Sequence, residues 1–160
     1  TGLRTWQAAD IPAPNGRVLR VTRTPARHGP AHADRGRVTD FALAFTDDPD
    51  RAIYISGDTV WYEGVAEVGR RFSVRIAIFF MGAARVPEVG PWHLTFTAAE
   101  AVEVAGAFPK ASIVPLHFEG WEHFSESRPE IERAFATAGL VHRLRWPTRG
   151  EPTTLILSPR

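Results

Sequence analysis

The stretch Ala52-Ile53-Tyr54-Ile55-Ser56-Gly57-Asp58-Thr59-Val60-Trp61-Tyr62 decides how this sequence folds. An apolar, β-favouring run from Ile53 to Ile55 stops abruptly at the turn residues Ser56-Gly57-Asp58-Thr59. Apolar residues at helical spacing follow the turn: Trp61, Val65, Val68 and Phe72. The pattern predicts a strand, a tight turn and a helix, with one carboxylate held where the strand ends.

Asp58 has two interpretations on these residues alone. Folds that alternate strands and helices place their chemistry at the carboxyl ends of strands, so Asp58 could be a ligand. Asp and Thr are also common helix caps, so Asp58 could equally cap the helix that follows. The local sequence leaves the two interpretations about even, and the choice depends on the rest of the chain.

Strand patterns recur on both sides of this stretch. Arg17–Thr22 and Asp40–Thr46 alternate apolar and polar residues, which is typical of half-buried strands, and an Asp-Asp-Pro-Asp turn is expected after the second. Continuous apolar runs predict buried strands at Arg75–Phe80 and Ala111–His117. Two more strands are expected at His142–Trp146 and Thr153–Leu157.

Helix signals alternate with these strands. Thr97 and Glu100 have capping-box spacing, as do Ser127 and Glu130, and Gly139 is placed to end the second of these helices. Alternating strands and helices with buried strands predict a layered α/β architecture. We expect residues 1–160 to form one domain.

Composition limits the class of protein. The chain has 160 residues and a net charge of +1, with 44% hydrophobic and 23% charged residues, as is ordinary for a globular domain. Its basic residues are scattered arginines apart from Lys110, so no patch predicts binding to nucleic acid. The longest apolar run, Ile76–Ala84, is well short of the ~18 residues of a membrane span, and no signal-peptide pattern opens the chain. Cysteine is absent, which excludes disulfides and thiolate metal sites, and we expect a cytoplasmic protein.

Three residues share a position at or just past the end of a predicted strand. They are His28, Asp58 and His117. Strand ends lie close in space in a layered sheet, and two imidazoles with a carboxylate could bind Zn²⁺ or Mn²⁺. Taken singly, His28 is as readily explained as a loop residue beside a proline turn, and His117 as a hydrogen-bonded core histidine.

A rival site is suggested by His28-x-x-x-His32 with Asp34, which has the spacing of ligands on a helix. Gly29-Pro30 breaks any helix between the two histidines, and the glutamate of a zincin motif is absent. We therefore reject this alternative.

Short motifs in a fixed order resemble a known family. They are Thr24-Pro25-Ala26-Arg27-His28, Ser56-Gly57-Asp58-Thr59, Gly82, His93-Leu94-Thr95 before an Ala-Glu-Ala helix, and Pro115-Leu116-His117-Phe118. The set resembles the metallo-β-lactamase-fold hydrolases, in the branch with N-acyl-phosphatidylethanolamine phospholipase D and the ascorbate-phosphate lactonases. The resemblance runs over essentially the whole chain.

The resemblance implies roles for individual residues. His28 would be a histidine of the first metal site, Asp58 the carboxylate that bridges two ions, and His117 the last ligand of the second site. His93 matches a substrate-side histidine that assists catalysis, whereas no metal role carries over to His123. Two Zn²⁺ or Mn²⁺ ions would share Asp58, and a hydroxide would attack the ester, phosphoester or lactone of a small-molecule substrate.

One departure from the family pattern is large. Its His-x-His-x-Asp-His motif, which lies upstream in those proteins, is absent from all 160 residues, and Met81 is the only methionine. We therefore expect the C-terminal half to two-thirds of an αβ/βα sandwich with mixed sheets. Partial metal occupancy and little activity are expected of the chain alone. The alternative is an interaction module whose open face is covered by an N-terminal segment, a partner or another copy.

Overall fold

The computed structural model describes residues 2–156. Within them, one sheet contains the strands β1 (Ala8–Pro12), β2 (Val18–Thr24), β3 (Asp40–Phe45), β4 (Asp48–Ile55), β5 (Val74–Phe80) and β6 (Ser112–Leu116). The helices are α1 (Glu63–Arg71), α2 (Ala98–Ala107) and α3 (Arg128–Thr137), with short 3₁₀ turns at Pro87–Val89 and Val141–Arg143. None of the described helices is long and apolar enough to cross a membrane.

The sheet is mixed, and its strands lie in chain order from β1 to β6. β1 to β4 form an antiparallel meander, whereas β4, β5 and β6 run parallel. α1 connects β4 to β5, and α2 lies between β5 and β6, as parallel pairing requires. The carboxyl ends of β2, β4, β5 and β6 consequently meet at one edge of the sheet.

The predicted helix starts are confirmed. At α2 the hydroxyl of Thr97 accepts from the N–H of Glu100 at 3.0 Å, and the Glu100 carboxylate accepts from the Thr97 N–H at 3.0 Å. At α3 the Ser127 N–H donates to the Glu130 carboxylate at 2.9 Å. Gly139 follows α3 with φ of 70°, a conformation that glycine adopts without strain.

The hydrophobic core lies between the sheet and the helices. Tyr54 is fully buried on β4 and meets the rings of Phe79 and Phe108 edge-on, with centroids 6.4 and 5.1 Å away. The opposite face carries apolar side chains at alternating positions that are only half-buried: Phe41, Leu43, Ile53, Ile55 and Ile78. One face of the sheet is therefore packed and the other is partly open.

The prediction of a strand at His142–Trp146 is wrong. The segment forms the 3₁₀ turn Val141–Arg143 and a single parallel bridge from Leu144 to Ile113. The Arg143 guanidinium instead donates to the carbonyls that end α2 and begin β6: Ala105 at 2.7 Å, Phe108 at 2.5 Å and Ala111 at 2.8 Å. These bonds hold the backbone at the sheet edge in a turn.

Other differences lie at the ends of the chain and in one hairpin. Residues 153–156 are mostly exposed and form no strand, and Leu157 lies outside the described residues. β1 has no counterpart among the strands expected from the sequence; all five of its residues are exposed, and among the described strands it pairs only with β2. The expected turn at residues 47–50 is shorter, since β4 already begins at Asp48, which pairs with Phe45.

Two helical glycines make a matched test of this packing. A Cβ on Gly69 of α1 would lie 2.4 Å from the Ala107 carbonyl oxygen, so α1 and α2 touch through backbone there. A Cβ on Gly106 of α2 would meet no atom within 4 Å. We expect Gly69→Ala to lower the free energy of unfolding by about 1–3 kcal/mol through overpacking. Gly106→Ala should raise it by up to about 1 kcal/mol through helix propensity.

Urea unfolding followed by circular dichroism measures both changes. Equal effects of the two substitutions would contradict the close helix contact.

Candidate functional site

Three side chains predicted as ligands come together at the carboxyl edge of the sheet. His28 follows β2, Asp58 follows β4 and His117 directly follows β6. The His28 Nε2 lies 3.9 Å from Asp58 Oδ2, and the His117 Nδ1 lies 3.7 Å from Asp58 Oδ1. The Asp58 carboxylate thus stands between two imidazoles, with a different oxygen toward each.

The turn that carries Asp58 is fixed by its other three residues. The Ser56 hydroxyl accepts from the Phe80 N–H of β5 at 2.8 Å. The Gly57 N–H donates to Asp40 Oδ1 at 2.8 Å, and the Thr59 hydroxyl accepts from the Arg27 N–H at 3.0 Å. Only the Asp58 side chain is left pointing to the two histidines, which favours the ligand interpretation over the helix cap. The Glu63–Arg71 helix also begins later, with Tyr62 at its N-cap.

His28 is placed by the same turn. The Val60 N–H donates to the Arg27 carbonyl at 3.0 Å, so residues 27 and 59–60 are bonded in both directions. Gly29 then turns the chain with φ of 101°, and a Cβ there would lie 2.9 Å from a Leu94 methyl. The loop after β2 is therefore pressed between the Asp58 turn and the segment before α2.

His117 is held by aromatic rings in a conformation that only a few residue types adopt. Its φ is 54°, in the left-handed region. Its ring stacks on Phe80 with centroids 5.2 Å apart and meets the edge of Phe124 at 4.8 Å. The Nδ1 atom is buried without a hydrogen-bond partner in the described structure. A buried polar atom without a partner is costly, so a ligand facing Asp58 would satisfy it.

Two loops close around His117. The Gly82 carbonyl accepts from the Ser125 N–H at 2.9 Å, and the Arg85 N–H donates to the His123 carbonyl at 2.8 Å. A Cβ on Gly82 would lie 2.7 Å from the Phe124 ring, and Gly82 has φ of 88°. Glycine is therefore required where the chain leaves β5 beside the site.

An open cavity of about 340 Å³ contains the three predicted ligands. Apolar side chains of Ala84, Val86, Leu94 and Trp121 line it together with Arg35 and His123. Arg35 is not among the residues predicted for the site, because an exposed arginine in a polar loop carries no local signal. His123 packs against the ring of Phe124 at the cavity wall, with centroids 4.6 Å apart.

His93 and His32 lie outside the lining of this cavity. The His93 Nε2 is 3.1 Å from the Glu100 carboxylate at the start of α2. Glu100 also accepts from the Trp61 N–H at 3.3 Å, which joins α2 to the end of the Asp58 turn. His32 is exposed and packs edge-on against Trp92, with centroids 4.7 Å apart.

The residues present fit part of a metal centre. Imidazole nitrogen and carboxylate oxygen are the ligand types of Zn²⁺ and Mn²⁺, and the His117 Nδ1 has no hydrogen-bond partner among residues 2–156. Residues 2–156 nevertheless contain no group of three or more such side chains arranged around one metal position. The two observations are consistent with two metal positions, one on each side of Asp58, with one histidine at each position.

A second carboxylate lies beneath the turn. Asp40 at the start of β3 is fully buried and accepts from the Tyr54 hydroxyl as well as from the Gly57 N–H. Burial raises the pKa of the Asp40 carboxyl to about 7, although the Tyr54 and Gly57 hydrogen bonds lower it, and the charge of Asp58 raises it further. Burial and the neighbouring Asp40 also raise the pKa of Tyr54 well above its usual value.

Comparison with known proteins identifies the family. A model of the beta-lactamase superfamily domain matches residues 1–118. The chain belongs to this superfamily, which confirms the resemblance found from its motifs. The mixed sheet with helices matches the α/β fold of solved metallo-hydrolases.

Two curated relatives show how much of the sequence is shared and how much of each protein the match covers. The UPF0173 protein YddR of Bacillus subtilis is 25% identical over 137 residues, which are 85% of this chain and 53% of that protein. A UPF0173 metal-dependent hydrolase of Thermoplasma acidophilum is 28% identical over 123 residues, covering 77% and 49%. The chain spans about half the length of these curated relatives.

A solved structure shows the same fold. The isothiocyanate hydrolase from Delia radicum gut bacteria superposes with a TM-score of 0.77 at 21% identity, covering 91% of this chain and 57% of that one.

The buried Asp40 makes stability depend on pH. Its pKa of about 7 in the folded state exceeds the ordinary 3.8, so the folded protein keeps a proton that the unfolded chain has lost. This stabilisation is fully present below about pH 4 and is lost as the pH rises through about 7. We expect the free energy of unfolding of the wild type, relative to Asp40→Asn, to fall by up to ~1.4 kcal/mol per pH unit in that window.

Urea unfolding of both proteins at pH 5, 6, 7 and 8 measures this difference. Parallel pH profiles would show that Asp40 is already ionised in the folded protein at pH 5.

Proposed function

We propose that this chain forms one side of the active site of a metal-dependent hydrolase. The observation that carries the proposal is the position of Asp58, whose two oxygens each face a different histidine at 3.7 and 3.9 Å. A carboxylate in that position suits a bridge between two ions. The metal-dependent hydrolase of Thermoplasma acidophilum, 28% identical to this chain, supports the same chemistry.

His28, Asp58 and His117 would hold the metal, as Zn²⁺ or Mn²⁺. Bound metal supplies a water of lowered pKa and a Lewis acid that polarises the substrate oxygen. The chain's own contribution is to hold the two imidazoles and the carboxylate in fixed directions. The Phe80 and Phe124 rings fix His117, and the Thr59–Arg27 hydrogen bond fixes the loop of His28.

Further ligands must come from outside these three side chains. Each side of Asp58 has one histidine, whereas Zn²⁺ sites use at least three protein ligands. We infer that the ligands are completed by residues beyond these 160, and that the chain alone holds metal weakly and has little activity.

The cavity suggests a small substrate with an apolar part. Leu94, Val86 and Trp121 form an apolar wall that would contact an apolar part of the substrate, and Arg35 stands among the lining residues as a cation. Such a lining suits an ester, phosphoester or lactone, since each develops negative charge on oxygen as it is cleaved. His93 lies outside this lining, with its ring 3.1 Å from the Glu100 carboxylate, and would assist from the side of the cavity toward α2.

Substitution of the ligands tests the proposal directly. We expect Asp58→Asn and His117→Gln to weaken binding of Zn²⁺ or Mn²⁺ at least roughly tenfold, because each removes a ligand atom. Binding is measured on the intact natural protein by competition with a chromophoric chelator. The control is His142→Gln, since His142 is exposed on the 3₁₀ turn away from the cavity.

If Asp58→Asn kept full metal affinity, the assignment of Asp58 as a ligand would be wrong. Equal losses in His117→Gln and His142→Gln would mean the same for His117.

A second candidate function is favoured by the partly open sheet face. Phe41, Leu43, Ile53, Ile55 and Ile78 form a continuous apolar surface across three strands, and such surfaces associate. On this alternative the 160-residue chain is an interaction module that binds a partner or another copy through that face. Catalysis would then not be its role.

Sedimentation of the 160-residue chain separates the two. If the face drives association, Leu43→Glu should shift a dimer or larger species to monomer, and Arg133→Glu on the exposed side of α3 should not. A wild-type chain that stays monomeric at all concentrations would count against the interaction module.

A further inference from the structure

Asp40 is a fully buried carboxyl group whose partners are unusual. Its hydrogen bonds come from the Tyr54 hydroxyl and the Gly57 N–H, and neither of these donors carries a positive charge. Burying a carboxyl group without a cation costs free energy, and an apolar residue at this position would avoid that cost. Stability therefore does not explain why a carboxyl group occupies this buried position.

The Gly57 contact gives that explanation. Asp40 Oδ1 lies 2.8 Å from the amide nitrogen of Gly57, the residue directly before Asp58 in the chain. The same turn packs tightly against the start of β3, because a Cβ on Gly57 would lie 2.7 Å from the carbonyl oxygen of Thr39, the residue before that strand. The orientation of the Ser56–Gly57 peptide, one residue before Asp58, is therefore set by Asp40 and by the backbone beside it.

Tyr54 connects this contact to the core. Its hydroxyl donates to the other oxygen of Asp40, and its ring is fully buried between Phe79 and Phe108. Asp40 cannot rotate without breaking one of its two hydrogen bonds. The rigid core is thus linked through Tyr54, Asp40 and Gly57 to the carboxylate that faces His28 and His117.

We propose that Asp40 and Tyr54 are positioning residues that aim the Asp58 carboxylate at its metal. The inference rests on the proposed function, since it assigns these two residues to the metal site described there. Neither touches the cavity. Both act through the Gly57 peptide, so their removal should weaken metal binding out of proportion to the stability lost.

The experiment compares four variants of the intact natural protein with Zn²⁺ or Mn²⁺ alone as probe. Asp40→Ala removes both hydrogen bonds, and Tyr54→Phe removes one while keeping the ring. Asp40→Asn keeps an acceptor for Gly57, and Gly69→Ala lowers stability at the contact between α1 and α2, which includes Phe108 but no residue of the turn. Metal affinity is measured by chelator competition, and stability by thermal unfolding.

We expect Asp40→Ala to weaken metal binding roughly ten- to a hundredfold and Tyr54→Phe by several-fold, as for other residues that orient ligands. Asp40→Asn should stay closer to the wild type than to Asp40→Ala. Gly69→Ala should lower the melting temperature and leave the affinity within about twofold of the wild type, since it touches no residue of the turn.

Two results would overturn the inference. In the first, Tyr54→Phe and Asp40→Ala bind the metal at least as tightly as Gly69→Ala does, at similar stability. The other is a loss in Asp40→Asn as large as in Asp40→Ala. If Asp40→Ala does not fold, Tyr54→Phe and Asp40→Asn decide. Asp58→Ala is measured alongside: if it binds metal like the wild type, the proposed function itself fails, whatever Asp40 does.

Discussion

The turn between β4 and α1 is the constraint on which the rest of the site depends. Three of its four residues are bonded to three separate parts of the fold: Ser56 to β5, Gly57 to β3 and Thr59 to the loop after β2. Together, these three hydrogen bonds fix the position of the turn relative to β5, β3 and the loop after β2. Asp58 is the one residue of the four whose side chain faces the cavity.

The three predicted ligands come from alternate strands, and this spacing has a physical use. Neighbouring strands lie about 4.8 Å apart, so side chains that follow β2, β4 and β6 are separated by roughly two strand widths. The loops must then lean inward for the side chains to approach within 4 Å. His117 has a left-handed backbone conformation, and Gly29 bends the chain directly after His28. Backbone strain in the site therefore includes one of the predicted ligands, His117.

Structural features that depend on adjacent residues can be predicted from the sequence. The capping boxes at Thr97 and Ser127 and the buried strands β5 and β6 each follow from a few adjacent residues. Features that depend on a distant partner cannot be predicted in this way. Arg143 prevents a strand because its guanidinium reaches three carbonyls more than 30 residues away.

The same limit applies to the site. Strand ends predicted His28, Asp58 and His117 as neighbours, because the carboxyl ends of parallel strands share an edge. Asp40 looked like an ordinary strand residue, since its meaning depends on Gly57, 17 positions later. Arg35 lies in a loop whose path no local pattern determines.

The agreement between strand order and chain order has a consequence for synthesis on the ribosome. Each strand from β2 onward pairs with the strand made just before it, so the sheet can grow at one edge as the chain emerges. β2, β3 and β4 pair antiparallel and are joined by a loop and a tight turn without a helical crossover, so His28 and Asp58 can be brought together early. His117 joins them only after two helical crossovers have been made. The nascent chain therefore presents two of its three predicted metal ligands well before the third exists.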